Sequence, residues 1–248
     1  MKIRISLLLI ALAFTSAHAQ FGRTPNTPNL SGSMAKLFGD NTAFSADMEM
    51  ESTGGADAGP GGTMTGKISF DQGKTRFEMD LANMKGGRMP PQATAQMKAM
   101  GMDKMVMISL PEKKVSYLIY PGLQAYAENP ARDAETNVSP ADFKIELTEL
   151  GKETVDGHPC VKHKAVVTDK EGKTHESTVW NATDLKDFPL QIMTKEKDDT
   201  IFIRYRQVQL AKPEEKDFDA PAGYKEYAEM EALMQGVMAK MTGGGSGK

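Results

Sequence analysis

The sequence predicts a mainly β protein of α+β class: an antiparallel sheet built as a meander, with one helical insertion and a C-terminal amphipathic helix. Three observations lead there. Apolar and polar residues alternate with a period of two through most of residues 43–210, as half-buried strands require. The connections between these runs are short and turn-like, for example Asp71-Gln72-Gly73 and Asp156-Gly157. The ten-residue crossover helices that parallel strands need do not appear between them.

The N-terminus reads as a targeting segment. Lys2 and Arg4 precede an apolar run from Leu7 to Phe14, and Ala17-His18-Ala19 places small residues at a cleavage site. This is the pattern of a secretory signal peptide spanning residues 1–19. The run is too short to span a bilayer, and the rest of the sequence offers no transmembrane segment. Gln20, not cysteine, follows the cleavage site, so no lipid anchor is expected there. The expected product is a soluble periplasmic or secreted chain.

Composition narrows the function. The formal net charge is −3, and it becomes more negative once Lys2 and Arg4 are removed. Such a chain lacks the basic footprint of a nucleic-acid binder. Cys160 is the only cysteine, so an intramolecular disulfide is excluded and the core must hold the fold. No nucleophile-elbow, zincin, P-loop or dinucleotide motif occurs, and no cofactor or enzymatic activity is expected.

In chain order, residues 20–39 form a Pro- and Gly-rich N-terminus with a short helix near Met34–Phe38. Phe44, Ala46, Met48 and Met50 alternate with polar residues as a first strand. Gly54 to Gly62 reads as a loop. Met64 to Phe70 and Phe77 to Leu81 form a hairpin across Asp71-Gln72-Gly73. Residues 84–103 are a Met-rich helical insertion, with Pro90-Pro91 as its start and Gly101 as its stop. Met105–Leu110 and Val115–Tyr120 form a second hairpin, and Asn129–Asp142 a polar loop. Five more strands follow at Ile145–Leu150, Cys160–Thr168, Thr174–Asn181, Leu190–Lys195 and Thr200–Leu210.

Residues 225–242 read as an amphipathic helix. Tyr227, Met230, Met234, Val237 and Met241 step by three and four, with Leu233 and Met238 widening the stripe. Glu residues near its start and Lys240 near its end suit the helix dipole. Residues 243–248 form a Gly-rich tail.

Several motifs together resemble a known group. Gly151-x-Glu153-x3-Gly157-x2-Cys160, Trp180-Asn181 followed by Asp187-Phe188-Pro189-Leu190, Phe218-x2-Pro221-x-Gly223-Tyr224, and the early Phe44-Ser45-Ala46 occur in order. Over residues 40–224 the chain resembles periplasmic proteins with the lipoprotein-localisation (LolA-like) fold. It is most similar to a bacterial domain family of unknown function with that fold. The resemblance implies an open, curved antiparallel sheet, an incomplete β-barrel, wrapped round helices. It also implies an apolar concave face, which in the carrier holds acyl chains.

The leading functional expectation is therefore non-enzymatic binding of a hydrophobic small molecule, lipid or acyl chain. The candidate lining is Met48, Met50, Phe77, Met79, Met97, Met100, Ile201, Ile203 and Tyr205, with the two helices as a lid. A second expectation is an envelope protein partner met by the helix stripe Tyr227, Met230, Met234, Val237 and Met241. A third is Cu(I) handling by the run Met97, Met100, Met102, Met105 and Met107, since thioether sulfur is a soft ligand. Against it, the run divides between a helix face and a strand. His158, Cys160 and His163 are the one cluster with metal-ligand side chains, but a strand sends His163 to the opposite face. Two ligands do not make a zinc site, so no metal is expected. Trp180 reads as core, with a place on the concave face as the alternative.

Overall fold

The computed structural model describes residues 33–55, 59–86, 90–130, 140–196 and 199–243. The expected signal peptide, the flexible N-terminus up to residue 32 and the tail from residue 244 lie outside the described residues. Thirteen strands form one sheet. They are β1 (Ala43–Gly55), β2 (Gly59–Asp71), β3 (Lys74–Asp80), β4 (Lys85–Gly86), β5 (Lys104–Leu110), β6 (Val115–Tyr120), β7 (Ala125–Pro130), β8 (Lys144–Val155), β9 (His158–Thr168), β10 (Thr174–Ala182), β11 (Phe188–Glu196), β12 (Asp199–Gln209) and β13 (Lys225–Tyr227). The helices are α1 (Ser33–Lys36), α2 (Pro91–Ala99) and α3 (Met230–Gly243).

The strand order is β13-β7-β6-β5-β3-β2-β1-β12-β11-β10-β9-β8, with β4 beside β2. Two antiparallel meanders are thus joined where β1 pairs β12. The end strands β13 and β8 do not pair, so the curved sheet stays open and is not a closed barrel. This is the architecture the alternation predicts. The β13–β7 pairing is parallel, unlike the others.

Register explains the alternation. Met48 lies between Gly66 of β2 and Tyr205 of β12, and Met50 between Met64 and Ile203. Opposed residues share a face, so these side chains build one inner layer. Phe44, Ala46, Met48, Ile68, Phe77 and Ile203 are buried in it. Directly after α1, Phe38 enters this layer. Its ring stacks on Phe44 with centroids 4.8 Å apart, and meets Phe188 and Tyr205 edge-on at 5.4 and 5.6 Å. These offset and edge geometries suit the aromatic quadrupole.

The outer face of β5–β7 carries a second cluster. Val106, Ile108, Leu110 and Ile119 are covered by Phe218, with Tyr224 packed alongside. Arg76 donates to the Asp217 carbonyl at 3.0 Å, and Lys74 pairs with Glu215 at 2.8 Å. The closing motif Phe218 to Tyr224 is therefore a flap over an outer apolar patch.

Three expectations need correction. The Gly-rich stretch 54–62 is mostly strand: β1 runs to Gly55 and β2 starts at Gly59, with Ser52 opposite Gly62. Residues 56–58 lie outside the described set. Glycine serves close strand approach here, since a Cβ on Gly61 would lie 2.4 Å from the Ser52 carbonyl oxygen. Next, the segment after Pro121-Gly122 forms a strand, β7, which the sequence reading left unassigned. Finally, the C-terminal helix begins at Met230. Residues 225–227 form β13 instead, because the edge of β7 supplies backbone partners; the Lys225 N–H reaches the Gln124 carbonyl at 2.8 Å.

Candidate functional site

An apolar cleft of about 320 Å³ opens between α2 and α3 at the β7–β13 end of the sheet. Ala99 and Met100 form the α2 wall, with Gln96 at its rim. Leu123 and Ala125 form the floor, and Tyr227 and Val237 the opposite wall. The space follows from side-chain size. Ala125 and Ala127 are the inward residues of β7, and both are buried. Small residues there leave room that leucine or phenylalanine would fill.

Local sequence fixes each wall. Pro91 opens α2 at a position where no helical N–H is needed. Gly101 closes it at φ +71°. The Gly101 N–H bonds the Lys98 carbonyl at 3.0 Å and the Met102 N–H bonds the Met97 carbonyl at 2.8 Å. This paired pattern is a Schellman stop. Gly101 then meets Gly122 backbone to backbone: a Cβ on Gly122 would lie 2.5 Å from the Gly101 carbonyl oxygen. That contact sets the α2 terminus beside Leu123.

On the other side, α3 turns Leu233 and Val237 inward, both buried. Gly236 lies in mid-helix, where glycine costs about 1 kcal/mol relative to alanine. Its reason is Tyr227, whose hydroxyl would lie 2.5 Å from a Cβ there.

The nine residues expected to line the ligand face are dispersed. Met48, Phe77, Met79, Ile203 and Tyr205 are core, each 4% exposed or less. Met50, Met97 and Ile201 are half-buried against that core. Met100 is the one that lines the cleft. Most of these inner-face positions are thus covered by the protein's own side chains. Of the helix stripe, Val237 and Tyr227 line the cleft, while Met230 and Met234 pack on the core. The Met241 side chain lies outside the described set.

Sequence reasoning missed Leu123, Ala125, Gln96 and Ala99. The alternation of Leu123, Ala125 and Ala127 with Gln124 and Tyr126 was the available signal for β7.

A larger hollow, about 580 Å³, lies elsewhere and differs in chemistry. Its lining includes Asp47, Glu49, Lys67, Glu78, Lys104 and Arg206. Met48 and Met79 touch its floor but are almost wholly buried. Opposite charges face each other across strands, with Lys67 in register between Asp47 and Glu78. Met105, Val106 and Pro121 line it as well, so it mixes charged and apolar surface.

The remaining candidates have other partners. His158 Nδ1 is 2.8 Å from Asp184, and His163 Nδ1 is 3.0 Å from the Asn181 side-chain oxygen. Cys160 is buried, and burial raises its thiol's pKa above its ordinary value. Among the described residues no group of three His, Cys, Asp or Glu side chains could hold a metal ion. The methionine run is split between α2 and β5, with Met102 and Met105 buried. Trp180 is buried; its indole donates to Glu153, and Lys162 Nζ sits 4.7 Å over its ring. The Trp180 hydrogen bond, then Lys162, hold the Glu153 carboxyl below its usual range. No helix among the described residues is long and apolar enough to cross a membrane.

A family model described as "Domain of unknown function (DUF4412)" matches residues 44–188, more than half of the chain. The chain belongs to this family. Comparison with curated proteins finds no match. Among solved structures, the DUF4412 chain is similar to a LolA superfamily protein, NE2245 from Nitrosomonas europaea. The two share 9% identity over 75% of this chain and 93% of the other, at a TM-score of 0.40. Similarity also extends to lipoprotein LppX from Mycobacterium tuberculosis, with 12% identity over 70% and 92% and a TM-score of 0.41. LprF from Mycobacterium bovis gives 12% identity over 74% and 93%, at 0.39. Likeness at this level does not transfer a ligand from one chain to another; the cleft has to be read from its own residues.

Proposed function

We propose that this DUF4412 protein is a non-enzymatic binding protein of the cell envelope that holds the hydrocarbon chain of a lipid or fatty acid between α2 and α3. The observation behind this reading is the cleft itself. Among the described residues it is an apolar opening beside the inner layer, bounded by Ala99, Met100, Leu123, Ala125 and Val237. Its 320 Å³ stands at the small end of ligand sites, about 300–1,000 Å³, and so suits a single chain. Each methylene buried there contributes about 0.8 kcal/mol. Methionine at the α2 wall adapts to chains of different shape. The signal-like N-terminus supports an envelope location, where lipids need carriers through water.

Native mass spectrometry of the protein purified from the periplasm, with organic extraction of bound material, tests this. A co-purifying lipid or fatty acid at one per chain is the expected result. A clean apo mass, with no uptake of added fatty acid, would overturn it.

A further inference from the structure

We propose that the ligand's head is a carboxylate or comparable anion, and that Lys225 is the residue that receives it. This deepens the cleft reading and rests on it.

The placement follows from strand geometry. On β13, Lys225 and Tyr227 are two apart and so project to the same face. Glu226, between them, projects to the other, where it accepts a hydrogen bond from the Tyr126 hydroxyl at 2.9 Å. Tyr227 is a wall of the cleft. The Lys225 ammonium sits 4.6 Å from the centre of the Tyr227 ring. A cation so held over an aromatic face is attracted by the ring quadrupole. The ring thus keeps the ammonium beside the apolar space rather than free in solvent.

Lys225 is one of several described lysines without an ion pair; what distinguishes it is its place over the Tyr227 ring beside the cleft. Lys74, Lys162, Lys164, Lys170, Lys212 and Lys216 each have a carboxylate within 4 Å. Lys225 is exposed, and among the described residues it forms no ion pair. An apolar cleft beside an unpaired ammonium matches an amphiphile with one hydrocarbon chain and one negative group. Gln96, on the facing wall, adds a neutral amide that can donate to the same head. A neutral head of equal chain length would gain the cleft but not the ion pair, and a charge-assisted hydrogen bond is roughly twice as strong as a neutral one.

The test compares dodecanoate with dodecanol by isothermal titration at pH 7.5, on the full chain and on Lys225→Gln and Lys225→Arg. Dodecanoate is expected to bind about tenfold more tightly than dodecanol. Lys225→Gln should erase the difference and leave dodecanol binding unchanged, while Lys225→Arg should retain it. Raising the salt should weaken dodecanoate alone, because an exposed pair is screened. Equal binding of both probes, or a preference that survives Lys225→Gln, would overturn the head-group assignment while leaving the cleft reading in place. Failure of both probes to bind would remove the cleft reading, and this inference with it.

Discussion

Gly101 and Gly122 touch backbone to backbone, and each occupies space that the other's Cβ would need. A Cβ on Gly101 would lie 2.9 Å from the Gly122 carbonyl oxygen, and one on Gly122 would lie 2.5 Å from that of Gly101. The contact pins the end of α2 to the turn between β6 and β7, which is where the cleft floor begins. Gly122→Ala should force the two segments apart. The expected cost is about 1–3 kcal/mol, as for other overpacked sites, read from chemical denaturation. Because α2 must shift, ligand affinity should fall as well. An alanine variant of unchanged stability and affinity would show that the contact is looser than described.

Met100 and Met97 differ although both sit on α2. Both pack half-buried on the core, but Met100 also lines the cleft and Met97 does not. Met100→Gln should therefore weaken fatty-acid binding about tenfold, from the loss of roughly 1–2 kcal/mol of apolar contact, beyond the loss of melting temperature that it shares with Met97→Gln. Met97→Gln should lower the melting temperature while leaving binding nearly unchanged. Equal effects of the two on binding would mean that α2 acts as a general lid rather than through one wall residue.

Tyr205 is wholly buried, and its hydroxyl has no hydrogen-bond partner among the described residues. It sits among Phe38, Phe44 and Phe188, and burial raises its phenol's pKa above the ordinary value. An unpaired buried polar group costs about 1–3 kcal/mol. Tyr205→Phe should therefore leave stability equal or higher, while Tyr205→Ala should cost about 3–5 kcal/mol. A clear loss in Tyr205→Phe would show that the hydroxyl is satisfied in solution.

Asp199 ties β12 to the β1 strand. Its carboxylate accepts hydrogen bonds from the Ser52 hydroxyl at 2.7 Å and the Gly54 N–H at 2.9 Å. Burial pushes its carboxyl up, but the bonds from Ser52, Gly54, Thr200 and Thr53 together outweigh this and hold it below the usual value. A depressed folded pKa stabilises the fold above the unfolded pKa, about 3.9, and that stabilisation is lost as pH falls through the folded value. Wild type should thus exceed Asp199→Asn in stability at pH 7, and the gap should close below about pH 4. A gap that persists at pH 2 would assign the difference to packing.

Much of the sheet was legible because its inner face is buried and its outer face is charged. Phe44 to Met50 could alternate only as a strand, and Gly101 marked the end of α2 correctly. The misreadings share a cause: partners distant in sequence. Gly61 reads as a loop residue until Ser52 is placed against it, and Tyr227 fits a helical stripe until β7 is seen to offer it an edge. The site was the least legible part. Met48, Phe77, Ile203 and Tyr205 carry the right chemistry for a ligand face, but they are buried in the core cluster that Phe38 joins. The cleft depends on what is small, at Ala99 and Ala125, and apolar periodicity does not report missing volume.

The most direct measurement is equilibrium binding of a fluorescent fatty acid to the wild-type chain and to Ala99→Trp. Ala99 is an exposed wall residue, so an indole there fills the cleft without entering the core. Saturable one-to-one binding that is lost in Ala99→Trp, with the melting temperature unchanged, is the predicted result. Absence of saturable binding in the wild type, or equal binding by the variant, would contradict a lipid site between α2 and α3.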